Sequence, residues 1–145
     1  MKELYNTVLA RLTDRVPAIR MIDFDMGQLE ALASDLRPAV AFPCCLIDME
    51  LSCEDNDLNG QLVTARVILT LAFEQPLPTD SLSPAIKRNQ ALQLFDVIDQ
   101  VHVAMQGYST NMFSAFSRRS LSPDRRFAGI RVYSCVYETT FTDDV

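Results

Sequence analysis

The sequence predicts one α+β domain spanning residues 1–145, with a largely antiparallel or mixed β-sheet and two helices packed on one face of it. Several segments alternate apolar and polar residues, as half-buried strands do. Two other segments repeat apolar residues at steps of three and four, which is typical of amphipathic helices. The length fits one domain. The composition, 48% hydrophobic and 22% charged, is that of a globular chain.

The first helix is predicted over residues 2–16. Its apolar stripe comprises Leu4, Tyr5, Val8, Leu9 and Leu12. The helix should end before Pro17, because the residue preceding a proline avoids the helical region. A short strand is predicted at 19–24. Residues 25–43 should be irregular, apart from a turn of helix at 28–33.

A first hairpin is predicted from strands at 44–52 and 62–73, joined by a polar connection that ends in the turn-forming pair Asn59-Gly60. Alternation places Cys45, Ile47, Met49 and Leu51 on the core face of the first strand. The opposite face, which carries Asp48 and Glu50, is predicted to be solvated. The core face of the second strand comprises Val63, Ala65, Val67, Leu69, Leu71 and Phe73.

After a loop at 75–83, one long helix is predicted over 84–106. Ser83 would cap its N-terminus, Pro84 would lie in its first turn, and Gly107 would follow its end. The expected apolar stripe comprises Ala91, Leu94, Phe95, Ile98, Val101, His102 and Met105. A second hairpin is predicted from strands at 112–121 and 129–142, around the turn Ser-Pro-Asp-Arg-Arg.

Charge and cysteine usage limit the functional classes. The formal net charge of −6 argues against binding nucleic acid by general phosphate neutralisation, which needs a basic surface. The N-terminal residues lack the continuous apolar core of a signal peptide. No run approaches the roughly 18 apolar residues of a membrane span. We therefore expect Cys44, Cys45, Cys53 and Cys135 to be reduced and mostly buried thiols.

Motifs that could carry chemistry are weak. The loop Asp55–Gly60 matches the first half of a calcium-binding loop, but Arg66 occupies the position of the required glutamate. The single histidine, His102, lies on an apolar helix stripe, where a hydrogen-bonded core histidine is the simpler interpretation. The sequence therefore predicts no catalytic, cofactor-binding or metal-binding residues. An enzyme or ligand-binding domain that uses the carboxylates near Asp23 and Asp48 remains an alternative.

Four arginines near the second hairpin predict a contact surface, because arginine and aromatic residues are enriched in interfaces. A solvated turn is the alternative. The complementary surface would be acidic and lie on a neighbouring copy. The candidate interface residues are Arg118, Arg119, Arg125 and Arg126 on one side, and Asp48, Glu50, Glu54 and Asp55 on the other. Reversing Arg118 and Arg119 to glutamate would then prevent assembly.

Several phrases of the sequence resemble a family of small bacteriophage and prophage tail proteins, the tail-terminator or tail-completion (neck) proteins. The phrases are LYNTVLARL, MIDFDMGQLE, AFPCCLIDMEL, VTARVILTLAFE, NQALQLFDVIDQVHVAMQGY and RVYSCVYETTFTDD. The resemblance extends over nearly the whole chain. It follows structural segments, so it transfers no functional residue.

The resemblance implies a structural protein without enzymatic activity or cofactor. Such a protein forms a homo-oligomeric ring, a hexamer in this family, that caps the tail tube and takes part in head–tail joining. The ring could close only on the tube, from a monomer in dilute solution. Its partners would be itself, the tail tube and neck proteins; its location would be the virion tail, after assembly in the bacterial cytoplasm. The acidic balance is compatible with DNA passing through the ring without specific binding. A head–tail connector is the alternative within the same class.

Overall fold

The structure is a computed structural model that describes residues 1–33, 40–56, 59–74 and 76–144. A five-stranded mixed sheet is its centre, and the prediction of an α+β fold is confirmed. The elements are α1 (Lys2–Arg15), β1 (Met21–Phe24), α2 (Gln28–Ala33), β2 (Cys44–Asp55), β3 (Gly60–Glu74), α3 (Ala85–Ala91), α4 (Leu94–Met105), β4 (Ser117–Asp124) and β5 (Ile130–Asp144). Residues 34–39, where the sequence predicts irregular chain, lie outside the described residues.

The strands run in the order β1-β2-β3-β5-β4. β1 pairs with β2 in parallel, and every other pair is antiparallel. Both predicted hairpins are therefore present. The first one is longer than predicted, because its strands continue to Asp55 and from Gly60. β3 lies at the centre, paired along its length with β5 and over twelve residues with β2.

The main core lies between one face of the sheet and the helices α1 and α4. The stripe of α1 buries Leu4, Val8 and Leu12 completely or almost completely. All six residues of the predicted core face of β3 are buried, and the five from Ala65 to Phe73 belong to the same cluster. Arg11 joins the two helices, because its Nε donates a hydrogen bond to the carbonyl of Ala104 at 2.8 Å.

The opposite face of the sheet is only partly solvated, which corrects the prediction for β2. Cys44 and Leu46 are fully buried on this face, beneath Leu29 of α2 and Phe127. Asp48 and Glu50 lie beyond this small second core, and there the face is accessible to solvent. The predicted turn of helix at 28–33 therefore covers one end of the sheet.

The predicted helix over 84–106 is wrong as a single element. The chain tightens at Leu92 and Gln93, where the amides of Gln93 and Phe95 donate to carbonyls three residues earlier. Bonds of this 3₁₀ type have fewer residues per turn than an α-helix. They therefore separate α3 from α4. The residues that α4 buries are Leu94, Val97, Ile98, Val101, Ala104 and Met105.

Phe95 is the clearest error in the predicted stripe. Its side chain is 43% exposed, and its ring makes a T-shaped contact with Tyr133 of β5, with the centroids 5.8 Å apart. Ser83 is not the N-cap either: Pro84 holds that position, and the Ser83 hydroxyl donates to the Asp80 carboxylate at 2.8 Å. Gly107 has a φ of 76°, as predicted for the residue after a helix end.

The second hairpin is displaced from its predicted position. β4 begins at Ser117 and continues through Pro123, so the expected turn residues Ser122–Asp124 belong to the strand. Proline is tolerated there because β4 is an edge strand. The chain before β4 is a loop that buries Phe113 and Phe116. The turn itself ends at Gly129, which has a φ of 81°.

Candidate interaction surfaces

The four arginines proposed as one surface lie in two separate places. Arg118 and Arg119 are at the start of β4, whereas Arg125 and Arg126 follow its end. Strands advance about 3.3 Å per residue, so roughly 20 Å separates the two pairs. The predicted arginine cluster is therefore wrong.

Arg118 and Arg119 also point to opposite faces of the sheet. Arg118 pairs with Tyr137 in register, is half-buried, and its amide donates to Oε1 of Gln106 at 2.9 Å. Arg119 occupies a β-bulge, and its Nη2 lies 3.6 Å from Oε1 of Glu138. Reversing both charges would thus disturb contacts within the chain, and it is not a clean test of assembly.

Arg126 is engaged within its own turn. Its guanidinium makes a close ion pair with Asp124 at 2.8 Å and lies 3.5 Å from Glu30. These hydrogen bonds lower the pKa of Asp124 from its ordinary value. Arg125 is exposed and makes no ion pair with any described residue. Of the four arginines, Arg125 is the most available to a partner.

The acidic residues proposed for the interface also fall into two groups, those engaged within the chain and those exposed at the end of β2. Glu50 is paired with Arg66, its Oε2 lying 3.0 Å from Nη1. Asp48 accepts a hydrogen bond from the amide of Met49. Glu54 and Asp55 are exposed at the far end of β2. No described contact brings any of them near the arginines at 125 and 126.

A row of alternating charges crosses the solvent-accessible face of the sheet. Glu50, Arg66 and Glu138 are register partners on β2, β3 and β5, and Arg119 completes the row from β4. Two negative and two positive charges balance one another across four strands. This row is internally neutral, so it offers little net attraction to a charged partner.

Glu50→Gln should lower the free energy of unfolding only slightly, by about 1 kcal/mol or less, because both side chains of the Glu50–Arg66 pair are at least half exposed. Urea denaturation at low and high salt would measure it, and the difference from wild type should shrink at high salt. A double-mutant cycle with Arg66→Gln is the control. A coupling energy well above 1 kcal/mol would contradict the exposed geometry.

One end of the sheet is strongly acidic. The described carboxylates there are Glu54, Asp55, Asp143 and Asp144, all exposed. None of them pairs with a cationic side chain among the described residues; Asp55 accepts a hydrogen bond from Gln61 at 3.0 Å. We call this group the acidic end.

The carboxylates proposed for an enzyme alternative serve local structure. Asp23 accepts a hydrogen bond from Nε2 of Gln28 at 3.2 Å, and Gln28 is itself buried between β1 and α2. Asp25 accepts from the amide of Gly27, as a turn residue does. Neither of them lines any of the clefts described below. Their arrangement lends no support to a catalytic acid pair.

His102 is held against the buried Tyr137. Its Nδ1 lies 3.0 Å from the Tyr137 hydroxyl, and either atom can donate depending on the tautomer. Desolvation, and then the nearby Arg118, lower the pKa of His102, so the ring is neutral at physiological pH. Burial raises the pKa of Tyr137. The predicted hydrogen bond is present, but the side chain is half-buried and does not lie in the core as the sequence predicts.

Part of the loop that resembles a calcium site, Asp57 and Leu58, lies outside the described residues. Arg66, at the position of the required glutamate, points to Glu50. Within the described ranges, no three His, Cys, Asp or Glu side chains form a group that could hold a metal. No helix in these ranges combines the length and the apolar character needed to cross a membrane.

Two clefts border the main core at opposite ends of α4. The first, of about 300 Å³, is lined by Phe42, Phe73, Leu77, Ala91, Leu94 and several neighbours near the start of α4. The second, of about 450 Å³, lies between α1 and the loop at 108–113. Its wall comprises Glu3, Asn6, Thr7, Ala10, Tyr108, Thr110, Met112 and Phe113. We call it the α1 cleft.

Residues 76–91 form a projecting segment that the sequence patterns did not predict, and we call it the arm. It leaves the sheet after β3 and returns through α3, a helix that buries none of its residues. Leu82 is 94% exposed and Ile86 is 76% exposed. A signal was present in the sequence: Leu82 is an apolar residue within the predicted loop at 75–83, and Ile86 does not fit the stripe assigned to the long helix.

No protein-family model matches the chain, and no curated protein matches it in sequence.

Proposed function

We propose that the protein is a structural tail protein of a bacteriophage or prophage, a tail terminator or completion factor that assembles into a homo-oligomeric ring on the end of the tail tube. The observation that carries this proposal is the apolar surface exposed at two ends of the molecule. Leu82 and Ile86 stand out from the arm, and Met112 is 54% exposed beside the α1 cleft. Exposed apolar surface of this kind marks sites of protein association.

The described clefts support this role better than a catalytic one. Carboxylates, thiols and the single histidine do not converge in them. The resemblance of the sequence phrases to tail-terminator proteins provides the particular role. The resemblance implies a ring of six copies. The acidic balance of the chain would keep DNA from binding as it passes.

Features at both edges of the sheet disfavour the pairing of an edge strand with a strand of another copy. Assembly should therefore use other surfaces. β4 contains a β-bulge and Pro123, and proline lacks the amide that an added strand needs. β1 is only four residues long. The open edge of β2 beyond β1 carries Asp48, Glu50, Glu54 and Asp55, and charged residues disfavour pairing between edges.

Deleting the gene in its phage or prophage should give tails of unregulated, greater length without heads, because nothing would cap the growing tube. Electron microscopy of the particles measures tail length directly, and supplying the wild-type protein from a plasmid should restore it. The connector alternative predicts tails of normal length that lack heads. Normal particles with heads attached would overturn both roles.

A further inference from the structure

We infer that the arm of one copy docks into the α1 cleft of the next copy, placing Leu82 and Ile86 in the cleft. This inference rests on the proposed ring and identifies the surfaces that would build it. The occupant of the cleft is therefore a second copy of this chain.

The tip of the arm exposes two large apolar side chains, Leu82 and Ile86. α3 has seven residues, and isolated helices shorter than about 12 residues are marginal in water. Its anchor is at the base, where Leu77 and Ala91 line the first cleft together with Leu94. The tip instead presents Leu82 and Ile86 to solvent. A partner that covers these two side chains would remove their apolar surface from water and would stabilise the short helix α3.

The α1 cleft offers a matching apolar surface. Phe113 is buried at its base, with its ring edge-on to Phe141 at a centroid distance of 5.3 Å. Tyr108 is held on the opposite wall by Arg11, whose guanidinium carbon lies 4.2 Å from the ring centroid. The cleft is therefore pre-formed by packed side chains, and Met112 at its rim can adjust to an entering aliphatic group.

The two surfaces do not meet within one molecule, because no residue of the arm lines the α1 cleft. The arm leaves β3 just after Phe73, whereas Phe141, which supports the cleft, pairs with Val63. Ten residues of strand separate these rows, or roughly 34 Å. A contact between arm and cleft must join different copies. Because it uses two different surfaces, it is heterologous and closes a ring when the rotation fits.

Charge complementarity also supports the contact between the arm and the α1 cleft. Lys87 on the arm is exposed and makes no ion pair with any described residue. Glu3 lies at the cleft, and the acidic end begins with Asp143, two residues beyond Phe141 on β5. Asp80, the one acid of the arm, is engaged with the amide of Leu82 and the hydroxyl of Ser83. Opposite charges across the contact would steer the arm to the correct end of its neighbour.

Disulfide trapping tests the contact. In a background with Cys53→Ser, which removes the exposed thiol, Ile86→Cys is made in one preparation and Met112→Cys in another. Under mild oxidation the mixture should give a covalent dimer that contains one copy of each variant. The matched control replaces Ile86→Cys by Val103→Cys, since Val103 is 80% exposed on α4 but outside the arm. A mixed dimer no more abundant than in this control would overturn the inference.

A second measurement uses charge insertion. Ile86→Asp should abolish ring formation or binding to tail tubes, as seen by sedimentation velocity and electron microscopy, whereas Val103→Asp should leave both intact. Circular dichroism of both variants should match wild type, because both side chains are exposed. Rings formed normally by Ile86→Asp would overturn the arm contact and leave the proposed function standing. A wild-type protein that neither forms rings nor binds tubes would overturn the proposed function instead.

Discussion

Replacing Phe116 with alanine is expected to lower the free energy of unfolding by about 3–5 kcal/mol, the usual loss for a large aromatic side chain in a core. Phe116 is fully buried, and its ring stacks on Tyr108 at a centroid distance of 6.2 Å. Its amide donates to the carbonyl of Tyr108, and its carbonyl accepts from the amide of Gly107. Through its ring and its backbone, Phe116 therefore connects the end of α4 to the start of β4.

Phe95→Ala is the matched control, because it removes the same atoms from a half-exposed site. Its only described ring contact is with Tyr133, so the expected loss is about 1 kcal/mol or less. Chemical denaturation of both variants gives the comparison. Equal losses would mean that the face of α4 directed to the core has been assigned wrongly.

Alkaline pH is expected to destabilise the protein between about pH 9 and 11. Burial raises the pKa of the Cys44 and Cys135 thiols from an ordinary value of 9.0 to about 11. In this interval the unfolded chain releases protons that the folded chain retains. Stability is therefore fully present below pH 9 and is lost as pH rises towards 11, by on the order of 2 kcal/mol per thiol.

Urea denaturation at a series of pH values measures this loss. The variant with both Cys44→Ala and Cys135→Ala should show a smaller fall over the same interval, although the raised pKa values of Cys45 and Tyr137 retain part of the fall. Cys53→Ser serves as the control for removal of a thiol, since Cys53 is exposed. A pH-independent stability up to pH 11 would contradict the burial of these thiols.

The sequence by itself determined the strand core and the first helix. Val63 to Phe73 alternates so regularly that the sequence identifies the face directed to the main core, and that face is buried. The stripe of α1 and the stop at Val16-Pro17 were likewise local patterns. Adjacent Cys44 and Cys45 fall into different cores because neighbouring residues of a strand point to opposite faces. These features depend on residues that are close together in the chain, so they can be predicted from the local sequence.

The tertiary structure decided the rest. The break at Leu92 and Gln93 divides the predicted helix, and the face that α4 buries against the sheet leaves Phe95 largely exposed. Arg118 and Arg125 are near in sequence but lie at different ends of β4, because the strand continues through Pro123. The candidate surfaces changed for the same reason: which charges are already paired, and which apolar side chains remain uncovered, depends on contacts between residues far apart in the chain.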